Sequence, residues 1–293
     1  MRHIASAWLS CIALLVGVGN GAVASADDIG SDSTTPVQVS FVAPLQLFSK
    51  ETRVYGIRCN LIAGKNAYVY GLDFGLVGIS TEEVFGVQLG AVNAAAHCNA
   101  LQISPFYNGA TRGGNAIQIG MYNDLQGDMQ DAVAGTSYGL QIGVMNAVGW
   151  AITDSRPLGA GLYEVTESHN TQADFNGVQV GYFGNCVGGT MTGLQANAAI
   201  NFVYGSLHGV QIAPLANVTH GKESYGLQAC GIINVGGSMK GVQISCANMD
   251  DDFQGIQIGA FNMCKRLKGV QIGAINIVTQ GPIPFFPGVN IGF

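Results

Sequence analysis

The stretch Gly269-Val270-Gln271-Ile272-Gly273-Ala274-Ile275-Asn276 recurs in varied form along most of this chain. Its parts are a Gly, an apolar residue, a Gln, a mostly aliphatic residue, and an Asn five or six places after the Gln. Openings of this kind stand at Gly56-Ile57-Arg58, Gly71-Leu72-Asp73, Gly86-Val87-Gln88, Ala100-Leu101-Gln102, Ala116-Ile117-Gln118 and Gly139-Leu140-Gln141. They continue at Gly177, Gly193, Gly209, Gly226, Gly241, Gly255 and Gly269, and a last one reads Gly288-Val289-Asn290. The commonest spacing is 14 to 17 residues and nine openings match Gly-apolar-Gln in full. Self-similarity at a short, nearly fixed period marks a repeat architecture.

Two spacings are longer, 23 residues after Ala116 and 38 after Gly139. The second gap is expected to hide a degenerate unit at Gly161-Leu162-Tyr163, which brings the count to about 15 units. An enlarged loop would then occupy residues 149–176. Each unit is rich in Val, Ile, Leu and Gly and is set off by a polar turn, such as Asp250-Asp251-Asp252 or Lys265-Arg266-Leu267-Lys268. Such runs read as short strands, and no helical period persists. The fold class is therefore all-β.

Two all-β architectures fit. One is a parallel β-solenoid of about 15 short coils, one unit per coil. The other is an up-and-down outer-membrane β-barrel, one unit per strand. In a barrel successive strands run in opposite directions, so a natural repeat would span two units. Here the units that carry an amide all carry it at the same place, as stacking in parallel requires. Stacked Gln and Asn side chains can then form hydrogen-bonded ladders. The expected ladder is Gln88, Gln118, Gln141, Gln179, Gln195, Gln211, Gln228, Gln243, Gln257 and Gln271. A bend at Gly273-Ala274 is expected to reset the strand phase and turn Val270, Ile272, Ile275 and Ile277 all inward. For the barrel stand the straight ten-residue alternation of some units and the alternate apolar ending Val289, Ile291, Phe293. The solenoid is favoured.

The ends of the chain read differently from its middle. Residues 1–26 have the form of a signal peptide: Arg2, an apolar run from Ala5 to Val18, and Ala24-Ser25-Ala26 before Asp27-Asp28. Residues 27–53 read as a linker followed by a cap or first strand, and residues 54–293 as the repeat domain. Without the leader, 11 basic residues face 18 acidic ones, a net charge of −7, which argues against a nucleic-acid footprint.

The Gly-apolar-Gln-aliphatic-Gly-x-x-Asn units resemble those of bacterial surface repeat-containing proteins, from about Val54 to Phe293. That resemblance implies export to the envelope or surface and supplies no catalytic residues. Ala100, Ala116 and the region from Gly149 to Asn176 depart from its pattern.

Chemistry-bearing motifs are sparse. His97, His169, His208 and His220 have no metal-ligand spacing and read as turn residues. Asp250-Asp251-Asp252 reads as a solvated turn. Cys230 and Cys246 fall at nearly matching places in adjacent units, a possible disulfide in an exported chain. Asn217-Val218-Thr219 has the form of a glycosylation acceptor. Tyr55, Tyr70, Phe85, Tyr138, Phe175, Tyr204 and Tyr225 lie near unit openings and are expected to pack at a coil corner. No catalytic residue, cofactor or metal site is expected. The expectation is an exported, non-enzymatic structural or interaction protein of the cell envelope, outer membrane or surface. Its partner would be a protein, a polysaccharide or another copy of itself; the rival reading is a barrel pore.

Overall fold

The computed structural model of the chain describes residues 33–126, 135–149, 155–159, 162–165, 173–281 and 284–293. The residues read as a signal peptide lie outside these. The strands stack into a mostly parallel β-solenoid of about 13 turns, not a barrel. Strand order follows the chain, and neighbouring coils pair residue for residue: Gly209 opposite Gly226, Gln211 opposite Gln228, Gly255 opposite Gly269, Gln257 opposite Gln271. At the usual inter-strand spacing the stack is about 60 Å long.

A coil has two kinds of strand segment. The longer, such as Ser224–Cys230, carries the Gly and the Gln. The shorter, such as Ala216–Thr219, carries the Asn and stacks on Ile233–Gly236 of the next coil. The Gly column bends the longer segment. Gly226 has φ of +135°, and a Cβ there would lie 1.8 Å from the carbonyl oxygen of Gly209. Only Gly satisfies both the left-handed backbone and the close approach of the coil beneath. Near Ala116, a residue with a Cβ, a left-handed glycine stands two places earlier, Gly114 at φ +136°.

Two expectations need correction. The coil of Gly139 stacks directly on that of Gly177, with Gln141 opposite Gln179. Leu162–Val165 instead pairs antiparallel with Ser155–Gly159 in a separate two-stranded sheet and not with the stack, and Gly161 lies outside the described residues. Most of the rest of the 149–176 segment lies outside the described residues. The first strand expected within residues 27–53 is Thr34–Val42, a parallel strand of the stack with Gln38 opposite Arg58. Second, Gly288-Val289-Asn290 is no coil. Phe285–Gly292 runs antiparallel to the last coil, with Asn290 opposite Gln271. Leu45–Gln46 runs antiparallel at the other end. Each open edge of the stack thus carries a reversed strand, which blunts a template for further pairing.

The largest correction concerns phase. Gln271 and Asn276 are fully buried, whereas Ile272 is 42% and Ile275 40% exposed. Val270 and Ile277 are half-buried. The coil is built with its amides inside and its aliphatics outside. An apolar core does exist, on the third side of the coil, where Phe175, Met191, Leu207, Met239, Phe253 and Leu267 point inward.

Candidate functional site

Two features could carry function: the amide ladders within and the aliphatic rows without. The Gln ladder is continuous. Each Nε2 donates to the Oε1 of the preceding coil, from Gln271 to Gln257 at 2.8 Å down to Gln102 to Gln88 at 2.7 Å. All ten expected Gln residues take part and Gln102, absent from the expected set, joins them. The Asn ladder runs the other way. Asn93 Nδ2 donates to Asn108 Oδ1 at 2.9 Å, and the relay continues forward to Asn262 and Asn276 at 2.8 Å. The two rows of amide dipoles therefore oppose each other.

The Asn amides also donate to a backbone carbonyl of the next coil. Asn248 donates to the Ile258 carbonyl at 3.0 Å and Asn262 to that of Ile272 at 3.0 Å, so Asn pairs the carbonyl at a bend. This is the physical reason for Asn at that place. A buried carbonyl left unpaired costs about 1–3 kcal/mol, more than a net hydrogen bond contributes. Four consecutive units with the six-residue offset, from Asn185 to Asn234, add a long contact to the carbonyl of their own Gln.

Each ladder ends on the chemistry its polarity requires. Gln88 donates to the Asp73 carboxylate at 2.9 Å. Asp73 is held by Arg58 in a two-point pair at 2.8 and 2.5 Å, and by Asn60 at 2.8 Å. Arg58 and Asp73 occupy the Gln column in the early coils and their side chains are 0% and 2% exposed. At the far end Asn276 donates to the carbonyls of Phe286 and Gly288.

Buried acids punctuate the interior. Asp250 is not a solvated turn residue: its oxygens accept from Gln243 at 3.1 Å and Gln257 at 2.7 Å, and burial pushes its pKa up to about 8. Asp251 and Asp252 are the solvent-side pair, bridged to Lys265 and Arg266. Asp124 accepts from Gln126 at 2.8 Å with one oxygen, its other is unpartnered, and burial raises it to about 7. Burial likewise pushes the nearby Tyr122 phenol and Cys186 thiol up, with the Asp124 charge adding to both.

The remaining sequence candidates are not brought together. Cys230 and Cys246 are free thiols. Their places differ by one residue: Cys246 donates its N–H to the Gly231 carbonyl and is exposed, while buried Ser245 comes opposite Cys230. One residue of offset turns a side chain to the other face. Asn217 and Thr219 are buried in the ladders and offer no glycosylation site. His97, His208 and His220 are exposed, and His169 lies outside the described residues. Among the described residues no group of three or more His, Cys, Asp or Glu is placed to hold a metal ion. A shallow hollow of about 210 Å³, lined by Lys222, Lys240, Asp252, Arg266 and Lys268 among others, lies on the charged side.

The aromatics do not fill a corner, apart from Phe175, which is in the core. Tyr55, Phe85 and Tyr138 are half or more exposed, and Tyr55 stacks on Tyr70 with centroids 4.8 Å apart. They form a column just before the Gly bend. Lys240 and Lys268 occupy it in later coils, Lys240 lying 5.2 Å over the ring of Tyr225.

The outside is sharply divided. Within the described coils, every charged side chain other than the buried Arg58, Asp73, Asp124 and Asp250 falls in the six residues before a unit opening. The His residues there obey the same rule. From the opening to the Asn the outward positions are nearly all apolar. Ile103, Ile119, Ile142, Val180, Ile212, Ile244, Ile258 and Ile272, each the residue after a ladder Gln, are 38–47% exposed. At about 70 Å² apiece such a row reaches the roughly 300–600 Å² that is the largest patch on an ordinary monomer. A second apolar set flanks the Asn ladder. Once the structure shows the ladder Gln buried, alternation along the strand turns its two neighbours outward.

No family model, curated protein or solved structure matches the chain.

Proposed function

We propose that this chain is an exported, non-enzymatic structural or interaction protein of the bacterial envelope or surface. Its working part is the outer aliphatic surface. One observation carries the reading: aliphatic side chains line the outside of coil after coil while the interior is occupied by self-satisfied amides. A water-soluble rod needing only stability would place those aliphatics within, because burying them is the main stabilising term in folding. The leader-like residues 1–26 and the resemblance to surface repeat-containing proteins support export. The barrel pore depended on antiparallel membrane-spanning strands and falls with the parallel stack.

The test is fractionation of cells that produce the full chain, with N-terminal sequencing. The expected result is envelope-associated or released protein beginning near Asp27. Full-length protein confined to the cytosol would overturn the reading.

A further inference from the structure

We infer that the outer aliphatic surface rests on the acyl region of a lipid leaflet, with the rod lying along the membrane and its charged side facing water. The inference depends on the reading above, that this surface is the working one. Four observations carry it.

The apolar surface turns a corner. In one coil Ile272 and Ile275 lie on either side of a bend and are equally exposed, and Leu215 and Ile232 at the corner are 44% and 55% exposed. A second rod laid against either flat face would leave the other in water, whereas immersion covers both. Charge is complementary to that geometry, since charged groups keep to the opposite side of every described coil. At the border stand side chains with an apolar body and a polar tip, Tyr55, Tyr138 and Tyr225 followed by Lys240 and Lys268. Such residues populate membrane–water interfaces, where the body sits in the acyl boundary and the tip stays wet. Finally, coil-to-coil pairing satisfies the backbone along the flanks of the rod. Its open edges are at the two ends, so lateral contact with hydrocarbon strands few polar groups. The arrangement is that of a protein lying in the interface to a depth of about 5–10 Å, not one spanning it.

The test is flotation of the purified full chain with phosphatidylcholine vesicles, at low and high salt. Wild-type protein is expected to float with the vesicles at both. Ile258→Glu with Ile272→Glu should lower the bound fraction at least tenfold while the β-sheet circular dichroism persists. Should that pair misfold, Ile258→Thr with Ile272→Thr keeps strand-forming side chains and is expected to weaken binding in the same direction. Lys240→Gln with Lys268→Gln should leave most binding intact. Binding only to anionic vesicles and lost at high salt would overturn the inference. So would detergent-free oligomers that ignore vesicles and dissociate on the Glu substitutions. In that case the partner is a second copy and the proposed function stands. If the Glu substitutions change neither vesicle binding nor self-association, both readings fall.

Discussion

The first coils and the last ones solve the same stacking problem with different chemistry. From Gln88 to Gln271 the inner column is a relay of neutral amides, each both donor and acceptor. Below Gln88 it changes to Asp73, then Arg58, a fully buried ion pair. An amide relay can extend indefinitely but cannot stop: its first donor needs an acceptor. A carboxylate is an acceptor without a donor, and Arg58 then neutralises the charge so introduced. The pair thus reads as a terminator for the ladder, much as side-chain caps serve a helix end.

The most damaging way to break this comparison is to remove half of the terminator. Arg58→Ala leaves the Asp73 carboxylate buried without its countercharge, and should cost about 3–5 kcal/mol in chemical denaturation. Arg58→Gln combined with Asp73→Gln continues the relay instead and should recover most of that loss. If the double variant is no better than the single, the column is not interchangeable along the rod. Next in size is the bend shared by both regions. Gly226→Ala places a Cβ against the Gly209 carbonyl and should destabilise by about 2–4 kcal/mol, whereas Gly288→Ala in the closing strand meets no atom within 4 Å and should cost about 1 kcal/mol.

Within the amide region, Gln228→Leu interrupts the relay and strips Gln243 of its Oε1 acceptor. A loss of about 1–3 kcal/mol is expected, measured by thermal melts. Asp250 offers a titration of the interior. Its folded pKa of about 8 lies above the usual carboxylate value. Between about pH 4 and pH 8 the folded state therefore holds the proton more tightly than the unfolded state. Stability is greatest at the acid end of that window and is lost as pH rises through it. Melting points should fall from pH 5 to pH 8, and less steeply in Asp250→Asn. An unchanged slope would mean that Asp250 is solvated. The smallest effect belongs to the exposed Lys265–Asp251 bridge: Lys265→Ala should leave the melting midpoint within experimental error.

Much of the architecture can be read without coordinates. Identical amides at identical places in units of nearly constant length imply parallel stacking, and parallel stacking implies ladders. The left-handed Gly column also leaves its mark, since Gly opens nearly every unit. Other features are illegible for definite reasons. Asp73 and Arg58 look like degenerate repeats, because one sequence does not reveal that a ladder needs a terminator. The segment after Val148 looks like another unit because Gly161-Leu162-Tyr163 matches on composition, and only pairing shows Leu162 bonded to a hairpin partner. Asp250 sits among two other acids and reads as surface until two ladder amides are seen to reach it.

The sequence by itself determined the repeat, its parallel stacking and most of the ladder residues, Gln102 excepted. Only the tertiary structure decided which side of each strand faces in. A strand alternates with a period of two and has no intrinsic inside. The usual rule sends aliphatics inward because buried amides are costly when unpaired. Here each amide is paired by the coils above and below it, a property of the stack that no single unit possesses. That pairing makes the interior a tolerable place for Gln and Asn and leaves the aliphatics outside, where the function is to be sought.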